Sequence, residues 1–147
     1  MEIYHVYGSL GQISNTENNN LTYGKDLTIS DINIMKNNIK IVEEINEINT
    51  KIENSIENAE KIFFLGFSFD KINLDRVGFF NKVSFPTKIY ATTLGLNKRF
   101  VNELKIKMQE RFIETMKGKK EEHHIHRLNE FIVLENMNSL QLLESYL

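Results

Sequence analysis

The stretch Ile62-Phe63-Phe64-Leu65-Gly66-Phe67-Ser68-Phe69-Asp70 constrains the fold of this chain more than any other. Apolar residues run without a break into a glycine, then a serine and an acid. A strand apolar on both sides is buried on both faces, which in soluble proteins means the middle of a parallel sheet covered by helices. In open sheets of that kind the ligand lies outside the carboxyl ends of the strands. A glycine there lets the backbone approach it, because no Cβ stands in the way. Gly66 and Ser68 are therefore the first candidate site residues. Taken alone, the same two residues equally suit a tight turn and a helix cap.

A length of 147 residues suits one domain with a core of its own. There is no cysteine, which removes thiol catalysis, disulfides and thiolate metal sites together. Net charge is −2 with lysines and acids interspersed, so no basic face for a phosphate backbone is expected, and no nucleic-acid partner. The amino end, Met1-Glu2-Ile3-Tyr4, lacks the basic and apolar regions of a signal peptide. No apolar run approaches the roughly 20 residues that span a bilayer. The expectation is a cytoplasmic protein without membrane contact.

Along the chain, Ile3 to Tyr7 alternates and stops at Gly8-Ser9-Leu10-Gly11, a strand over 3–7 running into a glycine-rich turn. His5 and Tyr7, two apart, share a face of that strand. A histidine there suits either titration near neutral pH or a structural hydrogen bond. Polar sequence from Gln12 predicts a flexible loop to about residue 30. Ile39, Ile41 and Val42 predict a short strand, and Ile45, Ile48, Ile52, Ile56 and Ala59 an amphipathic helix. That isoleucine stripe is too short for a coiled coil.

Further strands are predicted over 62–67, 88–92 and 131–134. Between them lie a short helix over 73–80 and a long one from Asn97 or Lys98 to Gly118. Ser139 is the expected cap of a closing helix. The segment His123-His124-Ile125-His126 follows a charged link and lacks an acid or thiol at ligand spacing, so no metal is expected. Successive strand-then-helix units that end in small or polar residues give parallel β-α-β topology. The expected fold is a single three-layer α/β domain, Rossmann-like, with a mostly parallel sheet and helices on both faces. The strand tips at 66–68 and at Thr92 and Thr93 should then line one hollow.

The sequence Val6-Tyr7-Gly8-Ser9-Leu10, the strand ending Gly66-Phe67-Ser68, the strand ending Ala91-Thr92-Thr93, and Phe131-Ile132-Val133-Leu134 with its closing helix resemble the second half of a sirtuin-like domain. The closest likeness is to divergent bacterial members found in antiphage defence proteins that hydrolyse NAD. The resemblance implies NAD as cofactor. Gly8 and Ser9 match the family's histidine-glycine-serine motif. Gly66, Phe67 and Ser68 match a motif that holds the ribose and phosphate of the adenosine half, and Thr92 and Thr93 match the strand end at the adenine ribose. The catalytic candidates are Tyr7, which stands where the family has its histidine, and His5, displaced from that place by about 6 to 7 Å of strand.

The resemblance also implies a sheet incomplete on its amino-terminal side, since the family's opening strand and pyrophosphate-binding turn have no counterpart here. The implied partner is a second chain that supplies that half, or a second copy of this one. Two functions from different classes follow: the carboxyl-terminal part of an NAD-binding or NAD-hydrolysing antiviral module, or a non-catalytic interaction or regulatory module derived from it. A small nucleotide-binding enzyme of another doubly wound family is a weaker third reading, because no phosphate loop ending in Gly-Lys-Ser is present and Gly8-Ser9-Leu10-Gly11 lacks the lysine.

Overall fold

The computed structural model describes residues 26–38, 50–118 and 120–147. The chain divides into two compact units, Met1–Glu47 and Ile48–Leu147. The expected strand over 3–7, with His5, Tyr7, Gly8 and Ser9, lies outside the described residues, as does the short strand at 39–42. In the first unit helix α1 (Ile29–Asn38) opens with a reciprocal cap. The hydroxyl and the N–H of Thr28 both donate to the Asp31 carboxylate, at 2.8 and 2.9 Å, and the Asp31 N–H returns a bond to the hydroxyl at 3.2 Å. This satisfies donors that a first helical turn otherwise leaves orphaned. Helix α1 thus begins at Ile29, inside the predicted loop, of which residues 12–25 lie outside the described residues.

The second unit is built on an open sheet of three parallel strands in the order β1 (Lys61–Phe64), β2 (Lys88–Thr92) and β3 (Ile132–Glu135). Register runs Ile62–Ile89–Ile132, then Phe63–Tyr90–Val133, then Phe64–Ala91–Leu134, so the three carboxyl ends lie abreast. Alternation sends Ile62, Phe64, Ile89, Ala91, Ile132 and Leu134 to one face. There they join the core with residues of α3 (Lys71–Arg76), α4 (Phe79–Lys82) and α5 (Lys98–Met116). Phe79, Met108, Phe112, Ile89, Ala91 and Ile132 are sealed from solvent. On the opposite face Tyr90 stacks on Phe63 at 4.9 Å and on Tyr146 of α6 (Ser139–Tyr146) at 4.8 Å. Helices therefore cover both faces of this unit.

Strand β3 is shifted by one residue from the predicted 131–134, and three further differences from the sequence reading have a local reason. Strand β1 ends at Phe64 rather than at 67, because the chain turns out of the sheet through Gly66, whose φ is +63°. The helix predicted over 73–80 is two short helices, α3 and α4, separated by Gly78 at φ +66°. A Cβ at Gly78 would also stand 2.9 Å from Glu53 Oε1 of α2 (Thr50–Glu57). The α6 cap is Asn138, and Ser139 is already helical. The charged link leads into a 3₁₀ segment, Lys120–Glu130, where the His124 ring stacks on Phe85 at 5.6 Å.

Arg111 of α5 ties the end of α4 to the core side of the sheet. Its guanidinium donates to the carbonyls of Asn81 at 2.7 Å and Val83 at 3.2 Å, which lie where the helix leaves its last carbonyls without partners. No helix among the described residues is long and apolar enough to cross a membrane.

Candidate functional site

The three strand tips surround one hollow of about 370 Å³. Gly66, Phe67 and Ser68 come from the end of β1, Thr92 and Leu94 from the end of β2, and Met137, Asn138 and Ser139 from the junction of β3 with α6. Parallel strands make this arrangement unavoidable: tips that point the same way in register must share an edge, and the turns that leave them form its walls. Gly66, Phe67, Ser68 and Thr92 are thus brought together, with Gly66 and Ser68 exposed.

The polar groups of the hollow are already ordered by the protein. The Thr92 hydroxyl accepts the Gly66 N–H at 2.9 Å and donates to the Phe64 carbonyl at 3.4 Å. Asn73 of α3 donates its side-chain N–H to the Ser68 hydroxyl oxygen at 2.9 Å. A hydroxyl that accepts there keeps its own proton for another partner. Among the described residues the N–H groups of Phe67, Ser68 and Phe69 have no acceptor. On the far wall the Asn138 side chain accepts the Gln141 N–H at 3.0 Å while the Gln141 side chain accepts the Asn138 N–H at 3.1 Å. That capping box fixes where α6 begins, satisfies the Asn138 and Gln141 N–H groups, and sets Ser139 at the hollow's edge. The site is rich in donors and carries no charged side chain among its lining residues.

Thr93 is placed differently. It follows Ala91 by two residues, so alternation turns its side chain away from Thr92. It is buried, its N–H donates to the Glu135 carbonyl at 2.8 Å, and it does not line the hollow. Asn138 and Met137 were not singled out from sequence. The spacing of Asn138 and Gln141, a capping residue with glutamine three positions on, is the signal that finds the first. Nothing comparable marks Met137.

Further hollows are lined by other residues of this unit. One of about 430 Å³ lies at the amino ends of the strands, around Ala59, Thr87 and Phe131, the side on which parallel sheets do not place ligands. One of about 290 Å³ lies between α3 and α5, with Leu74, Phe80 and Leu104 as its floor and Asp70, Glu103 and Lys107 on its rim. Among the described residues no group of three or more histidine, cysteine or acidic side chains is placed to hold a metal ion. The resolved pKa shifts fall outside the hollow, on the exposed 3₁₀ segment. Arg127 is raised by its hydrogen bond to Glu130 and then by that residue's charge, while Glu130 is lowered, chiefly by the same hydrogen bond. Comparison of the chain with protein-family models, with curated proteins and with solved structures finds no match.

Proposed function

We propose that this chain is the carboxyl-terminal part of a Rossmann-like, sirtuin-like module that binds NAD, and that the hollow at the strand tips takes the ribose and phosphate of the adenosine half. One observation carries the reading: three parallel strand ends meet around a single hollow edged by backbone N–H groups and by the Ser68 hydroxyl, which keeps its proton. Phosphate and ribose oxygens are acceptors, and a phosphate beside free N–H groups and a helix start is stabilised by the local dipoles. The Ser68 hydroxyl, held by Asn73, is a side-chain donor of the set. Gly66 and Phe67 contribute backbone. Hydrolysis of NAD in antiviral defence would draw on His5 and Tyr7, which lie outside the described residues, and the protein would work in the cytoplasm.

Calorimetric titration of the full chain with NAD and with ADP-ribose tests this. Gly66 has open space around the position of a Cβ but sits at φ +63°, where any side chain is strained, so Gly66→Trp both crowds and distorts the 66–68 wall; with folding verified by circular dichroism, affinity should fall by about tenfold or more. Equal heats for wild type and the variant would remove cofactor binding by this chain.

A second reading, a non-catalytic interaction or regulatory module, is favoured by the open edges of β1 and β3 among the described residues and by Leu94 and Leu140, about two-thirds exposed. Its partner would be a second chain or a second copy. A monodisperse monomer by light scattering, with nothing captured in a pull-down, counts against it.

A further inference from the structure

We infer that Thr92 is a positioning residue: its hydroxyl sets the direction of the Gly66 peptide, and through it the 66–68 wall of the hollow, without itself touching a ligand. The inference rests on the nucleotide reading for its functional half only.

Backbone pairing of β1 with β2 stops at Phe64 opposite Ala91. In a longer parallel ladder the following N–H groups of β1 would bond to carbonyls of β2. Here the Gly66 N–H goes instead to a side-chain oxygen, that of Thr92. Substituting a hydroxyl for a backbone acceptor lets the chain leave the sheet after Phe64 and turn at Gly66 without abandoning a polar group. The hydroxyl's one proton is spent on the Phe64 carbonyl of the same strand, so a single group takes from one peptide of the turn and gives to another.

Little is then left to offer a ligand, and Thr92 is only 6% exposed. Ser68, by contrast, is exposed and keeps its proton. Threonine suits the clamp better than serine would, because its branched Cβ restricts χ1 and holds the oxygen in one orientation.

The test uses the full chain with Thr92→Val, which keeps the shape and removes the hydroxyl, and Thr92→Ser, which keeps the hydroxyl. Hydrogen exchange of the Gly66 amide is followed by NMR in the ligand-free protein, and ADP-ribose is titrated in parallel. Loss of one hydrogen bond predicts about fivefold faster Gly66 exchange in the valine variant, and ADP-ribose affinity weaker by about the same factor. The serine variant should restore both to within about twofold. The amides of Ile89 and Thr93, which bond to Phe131 and Glu135, report that the sheet is intact.

Unchanged Gly66 exchange in the valine variant overturns the positioning role whether or not nucleotide binds. Faster exchange with unaltered ADP-ribose affinity overturns it as well. If the wild-type chain binds no ADP-ribose, the nucleotide reading is what fails, and Gly66 exchange in the valine and serine variants still decides the clamp. Should the valine variant not fold, Thr92→Ala makes the same comparison.

Discussion

Replacing Phe79 with alanine is expected to remove about 3–5 kcal/mol from the stability of the unit formed by residues 48–147. Phe79 is the first residue of α4 and fully buried, and its ring meets the edges of Phe64 at 5.1 Å and Phe80 at 5.1 Å. The loss combines the transfer of a phenyl group out of water with the cavity left behind among the buried residues packed around it. A domain of this size holds about 5–15 kcal/mol in total, so the variant should be close to unfolding at physiological temperature. Urea denaturation followed by circular dichroism reads the difference. Phe79→Leu, which keeps most of the volume, should cost about 1–2 kcal/mol. Ile106→Ala on the solvent side of α5, where the residue is half exposed, should cost under about 1 kcal/mol. Equal losses for Phe79→Ala and Ile106→Ala would mean that α4 does not pack under the sheet.

What could be read from sequence was what periodicity encodes, and what could not was what single side chains decide. Strand β2 has the limits its sequence predicts, 88–92, because an apolar run is bracketed by a lysine and a pair of hydroxyls. Helix α5 likewise spans Lys98–Met116, beginning after the Asn97 cap and ending before Gly118. The end of β1 is not legible, because no pattern in the sequence says that a threonine on the next strand takes over a ladder bond. Gly78 sat inside an otherwise helical spacing of Leu74, Val77 and Phe80, where a glycine either bends into a left-handed break or is absorbed, and only the backbone distinguishes them. Two features are legible in principle. Neighbours on a strand face opposite ways, which separates Thr92 from Thr93. Asn138 has glutamine three residues on where Ser139 has leucine, which marks Asn138 as the cap.

The least legible feature is Phe69, and it yields an inversion of the usual order of substitutions. Its φ is +58°, in the left-handed region that costs a side-chain-bearing residue about 1–2 kcal/mol. What holds it there is its ring, buried against Phe64 at 5.1 Å and Phe67 at 5.2 Å. Phe69→Ala loses those contacts and keeps the strain, for an expected cost of about 3–4 kcal/mol. Phe69→Gly loses the same contacts but relieves the strain, because glycine populates positive φ freely. In ordinary strand or helix positions glycine is the worse replacement by about 0.5–1 kcal/mol. Here it should be the better one by about 1 kcal/mol, since relief in the folded state exceeds the extra freedom glycine gains when unfolded. Paired denaturation curves of the two variants decide it, and alanine proving more stable than glycine would place Phe69 at negative φ. The consequence reaches the hollow, because Phe69 directly follows Ser68. A turn bounded by left-handed residues at Gly66 and Phe69 presents its intervening amides from one fixed conformation, and the aromatic cluster beneath Phe69 keeps it so.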